Sequence, residues 1–207
     1  MTLAIRTASH FWDLRYSSDA YVFGKEPSRF VTAYALNIAP GSRIFLPADG
    51  EGRNSVFLAA LGHKVTACDY SEVALDKARR LAADKGVDID FRVADLKGFA
   101  WPDGAYDAVV ATFLQFADPT FRDMIFAGLK KSVRPGGRIL LHGYTPQQVE
   151  YGTGGPDDVT KMYTIDLLRD AFADCDIEVL KAYEAELDEG PGHCGRSALI
   201  DLVARKR

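Results

Sequence analysis

The segment Ala48-Asp49-Gly50-Glu51-Gly52-Arg53-Asn54 directly follows a short apolar run, Arg43-Ile44-Phe45-Leu46-Pro47. Glycines after a buried strand let the backbone approach a ligand closely. The helix opened by Arg53 and Asn54 offers free amides to a carboxylate, phosphate or other polar group. Asp69, 17 residues beyond Gly52, closes the next apolar run. That lies near the spacing of about 20 residues at which a strand-end carboxylate meets the hydroxyls of an adenosine ribose. The Gly-x-Gly-x-x-Gly fingerprint of dinucleotide sites lacks its third glycine here, which disfavours NAD. His142, Tyr144, Gln147 and Tyr151 stand at or beyond the end of a later strand, and His193 sits in a glycine-rich loop. Imidazole can take a proton from a hydroxyl, amine or thiol near neutral pH, and a phenol can orient a substrate. His193, His142 and Tyr144 are therefore the candidate catalytic residues, whereas His63, at the opposite sheet edge, and His10 read as structural.

Positioning such groups needs a frame, and the periodicity supplies one. Glu26-Pro27-Ser28 starts a helical pattern reaching about Asn37, with Pro27 suited to the first turn. Apolar runs at 43–47, 64–68, 89–93, 106–113 and 138–143 alternate with helical patterns over 53–61, 72–85 and 119–132. In the helix over 53–61, Val56, Phe57 and Leu61 are expected to face inward. Gly86 ends the second of these helices, and Pro135-Gly136-Gly137 reads as a turn. A helix near 164–172 precedes strands near 176–184 and 197–204. The 185–196 segment between them is too glycine-rich for a helical crossover, so the last strand should be antiparallel. The expected fold is α/β: a doubly wound, mostly parallel seven-stranded sheet with an antiparallel last strand. The loop carrying His193 then lies at the carboxyl edge, where open α/β sheets bind ligands.

With these motifs in place, the chain resembles the class I S-adenosylmethionine-dependent methyltransferases over nearly its whole length. ADGEGRN and VTACDYSEVALDKA are similar to their first two motifs, VADL to their adenine-contacting strand end, AYDAVVATFLQF to their fourth strand, and LKKSVRPGG to the entry to the fifth. FWDLRYSSDAYVFGKEP, TPQQVEYGTGGP and DEGPGHCG resemble a bacterial subgroup related to the tellurite-resistance and thiopurine methyltransferases. Leu46, Pro47 and Ala48 depart from the usual first motif, which has an acidic residue at the first of these positions and a glycine at the last. The resemblance implies a Rossmann-like methyltransferase fold and S-adenosylmethionine as cofactor. Gly50, Glu51, Gly52 and Asn54 would line it, Asp69 and Tyr70 would flank the ribose, Asp95 and Leu96 would hold adenine, and Thr112 and Phe113 would border the methionine portion. Tyr16 and Tyr21 belong to an aromatic N-terminus that could close over the sulfonium, so residues 1–40 are expected to form a helical lid on one 1–207 domain. The activity implied is methyl transfer to a small-molecule acceptor such as a thiol or other soft nucleophile. A non-catalytic sensor of the adenosyl ligand is the alternative, and a nicotinamide-dependent oxidoreductase stands third.

Composition narrows the partners. The 25 Lys and Arg against 29 Asp and Glu give a net charge of −4, so bulk electrostatics attract neither nucleic acid nor an anionic membrane surface. The three cysteines are widely spaced with no C-x-x-C pair, so no metal site is expected and a reducing cytoplasm is. The N-terminus shows no apolar core of a signal peptide, and no run approaches the roughly 18 apolar residues of a membrane span. A soluble, unprocessed chain is the expectation.

Overall fold

The computed structural model describes residues 11–207; the expectation for His10 lies outside them. After a helical stretch at 11–15 the elements run α1 (Arg29–Tyr34), β1 (Arg43–Pro47), α2 (Arg53–Ala60), β2 (Lys64–Asp69), α3 (Glu72–Lys85), β3 (Asp90–Val93) and β4 (Tyr106–Thr112). They continue with α4 (Pro119–Ser132), β5 (Val133–Tyr144), α5 (Gln148–Tyr151), α6 (Ile165–Ala171), β6 (Cys175–Asp188) and β7 (Cys194–Lys206). The strands form one seven-stranded sheet in the order β3-β2-β1-β4-β5-β7-β6. The pairs among β1 to β5 are parallel, and β7 is antiparallel to both β5 and β6.

Period-two alternation makes a sheet buried on both faces. Ile44 and Leu46 pack with Phe30 and Val31 of α1 and Leu58 of α2, while Phe45 between them packs with Ile125 and Leu129 of α4. Local signals start the helices: the side chains of Ser28, Ser71 and Asp118 accept from the amides of Val31, Ala74 and Phe121. The order of the strands reverses at β1, whose chain leaves towards β2 while β4 lies on its other side. The crevice between the carboxyl ends of β1 and β4 is thus the place where a ligand fits.

The structure corrects several local expectations. Pro27 precedes the N-cap Ser28 rather than lying in the first turn, and α1 ends at Tyr34 with a 3-10 turn to Asn37. Leu61 is exposed, because it falls on the C-cap, past the buried stripe of α2. Pro135-Gly136-Gly137 is an irregularity inside β5, where the register with β4 shifts between Tyr106 and Ala108, and not a turn ahead of the strand. Most of 185–196 is strand, since the β6–β7 ladder continues to Asp188↔Cys194 and leaves a short connection.

Candidate active site

At the carboxyl edge the chain leaves β1 through Ala48, a non-glycine residue at φ 51°. Gly50 and Gly52 follow at φ 63° and 87°. A Cβ on Gly52 would stand 2.6 Å from the Cβ of Ala78, so glycine is what lets this loop lie on α3. Asp69, at the end of β2, fastens the loop: its Oδ2 accepts from the Gly50 amide at 2.8 Å and its Oδ1 from the Ser71 amide at 2.9 Å. With the Tyr70 amide as a third backbone donor, the roughly four lone-pair sites of the carboxylate leave room for one more hydrogen bond, so it can still accept from a ligand hydroxyl. Burial pushes the Asp69 carboxyl up to about 6, against the pull of these backbone donors. Burial likewise raises Asp49 to about 7, and its Oδ2 has no hydrogen-bond partner among the described residues.

These groups line a cavity of about 630 Å³ that reaches from Tyr70, Asp95 and Leu96 beyond β2 and β3 to Gly192 and His193 after β6. Gly50, Glu51, Asn54, Thr112, Phe113, Tyr16 and Tyr144 line it as well. The structure thus brings to one cavity every expected cofactor residue except Gly52 and Tyr21. Gly52 lies underneath, against α3. Tyr21 points away: its hydroxyl donates to the Lys77 carbonyl at 2.9 Å and its ring sits between the ammonium groups of Lys25 and Lys77. Asn54 spans the site, its Oδ1 accepting from the Ser28 amide at 2.9 Å and its Nδ2 donating to Thr112 Oγ1 at 3.2 Å. Phe113 holds φ 56° at the end of β4, a second left-handed non-glycine residue on the cavity wall. Such strain persists only where its surroundings enforce it, and it gathers at ligand sites.

Among the proposed catalytic residues, His193 and Tyr144 line the cavity and His142 does not. His142 faces Asp201 across the antiparallel ladder, and that cross-strand neighbour claims its Nδ1 at 2.8 Å. Its ring stacks on Phe30 beside a separate cavity of about 240 Å³ under α1. His193 is buried among rings, its centroid 4.0 Å from Phe113 and 4.5 Å from Phe23. Burial, then the charge of Arg53, holds its imidazole down at about 2, so it is neutral at any physiological pH. Burial, with Glu189 nearby, pushes the Tyr144 phenol up. Gln147 is exposed and bonded to Glu150, and Tyr151 lies under the guanidinium of Arg196, so neither lines the site.

The structure also shows groups that the sequence reading missed. Lys77, 1% exposed, pairs with Glu51 and donates to the carbonyls of Ser18 at 2.9 Å and Ala20 at 2.7 Å. It thereby straps the N-terminal segment to the glycine loop. Its signal was a lysine in the apolar stripe of α3 formed by Ala74, Ala78 and Leu81. Arg53 pairs with Glu189 at 2.9 Å, both side chains 6% exposed. Nothing local in the sequence marks that long-range pair. Among the described residues no group of three or more His, Cys, Asp or Glu is placed to hold a metal.

Comparison with known proteins places this geometry. Residues 48–137 match the model of a methyltransferase domain family. The demethylmenaquinone methyltransferase of Thermus thermophilus is 34% identical over 54% of this chain and 51% of its own. The chain spans about half the length of the curated relatives it matches first. Among solved structures, a protein from work on "Conversion of a Disulfide Bond into a Thioacetal Group during Echinomycin Biosynthesis" superposes with a TM-score of 0.79 at 19% identity, covering 96% of this chain and 92% of that one. TehB from Haemophilus influenzae gives 0.71 at 20%, covering 96% and 67%. The fold and site define a Rossmann-like ligand-binding α/β protein. Over residues 48–137 the chain is similar to methyltransferase domains, and S-adenosylmethionine is the cofactor that this likeness implies.

The residues present fit that cofactor. Asp69 has room to accept from a ribose hydroxyl, and the orphaned, buried Oδ2 of Asp49 suits a cationic group beside the glycine loop. The aromatic wall of Trp12, Tyr16 and Phe113 suits a sulfonium.

Proposed function

We propose that this protein transfers the methyl group of S-adenosylmethionine to a small-molecule acceptor, a thiol or another nucleophile that ionises easily. The observation that carries this reading is the continuity of one cavity: the loop clasped by Asp69 and the pair His193 and Tyr144 line the same space. The cofactor, when bound, supplies a methyl group already activated on a positive sulfur. The protein's task is then alignment and exclusion of water rather than covalent chemistry.

In this reading Asp69 accepts from a ribose hydroxyl, Asp95 and the Leu96 amide hold the adenine, and Gly50, Asn54, Thr112 and Phe113 border the methionine portion. Tyr16 closes the site from the N-terminal segment, with residues 11–24 as the cover of a single domain held down by Lys77. His193 accepts a hydrogen bond and orients the acceptor. An imidazole held at about 2 cannot keep a proton taken from an alcohol. That cost favours an acceptor that reaches the site already ionised, such as a thiolate. The acidic net charge supports a small molecule over nucleic acid, and the unpaired cysteines support a reducing compartment. No described helix is long and apolar enough to cross a membrane.

The test is calorimetric titration with S-adenosylmethionine, S-adenosylhomocysteine and NADH, followed by a screen of thiols and alcohols for release of S-adenosylhomocysteine. Binding of the adenosyl ligands alone, with turnover on thiols, is expected. Binding without turnover on any acceptor would turn the reading to a sensor, and no binding would end it.

A further inference from the structure

Carboxylates and cations both line the main cavity, with Lys97 beside Asp95 and Glu51 held by Lys77 and the Phe23 amide. Asp49, Asp69 and Asp95 line the part built by the glycine loop and the ends of β2 and β3. Around His193 the lining side chains are aromatic or cationic: Phe23, Phe113, Tyr144, Arg15 and Arg53. Glu189, the partner of Arg53, faces the smaller cavity and does not line this one. Three polar atoms at this end are buried and without a partner among the described residues: Arg53 Nη1, Tyr144 Oη and His193 Nδ1. The Arg53 and His193 residues are 6% exposed and Tyr144 is 1% exposed. The Arg53 guanidinium has one nitrogen committed to Glu189 and another left over, and its charge reaches the unbonded Tyr144 phenol, so both are donors lacking an acceptor oxygen. Arg15 stands over the rings of Trp12 and Phe23 at 5.8 and 5.5 Å with no carboxylate in ion-pair contact among the described residues, and adds a second positive charge.

We infer that the methyl acceptor is a flat ring bearing a carboxylate-like anionic group, which Arg53 Nη1 and the Tyr144 hydroxyl bind while the ring lies among Phe23, Phe113 and the His193 imidazole. This rests on the methyltransferase reading and names the acceptor class for the same site. The rings give a flat ligand its apolar contact. The guanidinium gives direction, since its fork matches a carboxylate. His193, neutral, offers no competing charge.

The test uses the full chain saturated with S-adenosylhomocysteine and reads binding rather than turnover. Benzoate and benzamide are titrated in turn by calorimetry, and benzoate is expected to bind at least about tenfold tighter. Replacing Arg53→Met together with Glu189→Gln removes the cation without leaving a lone buried carboxylate. It should reduce the benzoate preference to about twofold while S-adenosylhomocysteine affinity holds. The exposed Arg15→Met, which does not threaten folding, should weaken benzoate by about threefold and leave benzamide unchanged. Equal binding of benzoate and benzamide to the wild type overturns the inference. So does a double variant that loses S-adenosylhomocysteine and keeps benzoate, which would assign Arg53 to the cofactor's own carboxylate. Failure of S-adenosylhomocysteine to bind the wild type would instead remove the underlying reading, and the inference with it.

Discussion

Asp49 joins two costs at one residue. Its carboxyl is buried, its Oδ2 is unpartnered, and burial raises it to about 7 from an ordinary value near 4. A carboxyl raised in the folded state keeps its proton where the unfolded chain has lost it. Its contribution therefore weakens as pH climbs from about 4 to 7, and the native state carries a strained anion above that window. Asp49→Asn is accordingly expected to stabilise the protein at pH 8 by about 2–4 kcal/mol and hardly at all at pH 4, read by urea denaturation at both values. A loss of stability at pH 8 would show that the hydrogen bonds from Ser55 to the carboxylate outweigh its burial cost. Binding runs the other way. A cationic ligand favours the ionised form, so wild-type affinity for S-adenosylmethionine should fall about tenfold between pH 8 and pH 6, with a proton released on binding near pH 6.5. Asp49→Asn should bind more weakly at pH 8 and lose the pH dependence. A flat wild-type profile, measured calorimetrically in buffers of different ionisation enthalpy, would sink the assignment.

At the scale of elements, the glycine loop, α3 and the N-terminal segment act as one unit. Gly52→Ala meets two obstacles, φ 87° and a contact 2.6 Å from the Ala78 Cβ. It should cost about 2–4 kcal/mol in chemical denaturation, of which Ala78→Gly should return only the part due to the Ala78 Cβ, since the Ala78 Cα would still stand at 2.9 Å. Full rescue by Ala78→Gly would mean the backbone conformation is not strained. Lys77→Met leaves Glu51 buried without its cation and should cost about 3–5 kcal/mol, whereas Lys77→Met with Glu51→Gln should recover most of it. If the double variant is no better than the single one, the lysine acts through the carbonyls of Ser18 and Ala20 and not through the ion pair. These elements also mark what was legible in the sequence. The strands and α2 to α4 could be read because caps, apolar runs and glycines are local signals, and Gly50, Asp69, Asp95 and Phe113 could be placed because strand ends fall on one edge. His142 and Tyr21 were misplaced because each is claimed by a partner distant in sequence, Asp201 across the ladder and the Lys77 carbonyl on α3. The Arg53 and Glu189 pair was invisible for the same reason. Spacing shows which edge a residue reaches; it does not show which neighbour will bind it first.

At the scale of the whole molecule, one side of the cavity is lined by an N-terminal segment that owes its position to few tethers. Residues 16–24 are held by Lys77 on α3, by the Gly192 amide donating to the Val22 carbonyl at 2.8 Å, and by the Phe23 amide donating to Glu51 at 3.3 Å. The sheet behind them is joined by continuous ladders through seven strands. A ligand that bridges the cover and the sheet edge should therefore tighten the cover far more than the core, which is already near its limit of protection. At S-adenosylhomocysteine concentrations about 100 times Kd, linkage gives about 2.7 kcal/mol, which for a chain of this size raises Tm by about 5–10 °C. Amide exchange read at 11–24 should slow with the ligand, while the amides of β4 and β5 change only as the global stability does. Equal slowing everywhere would mean that the ligand stabilises the fold without engaging the cover. In that case the acceptor's route to the site would have to be sought on the side of Gly155 and Pro156, which line the same cavity. Selective slowing would make opening of the N-terminal segment the step that admits the acceptor and releases the product, and its rate would then follow the strength of the Lys77 strap.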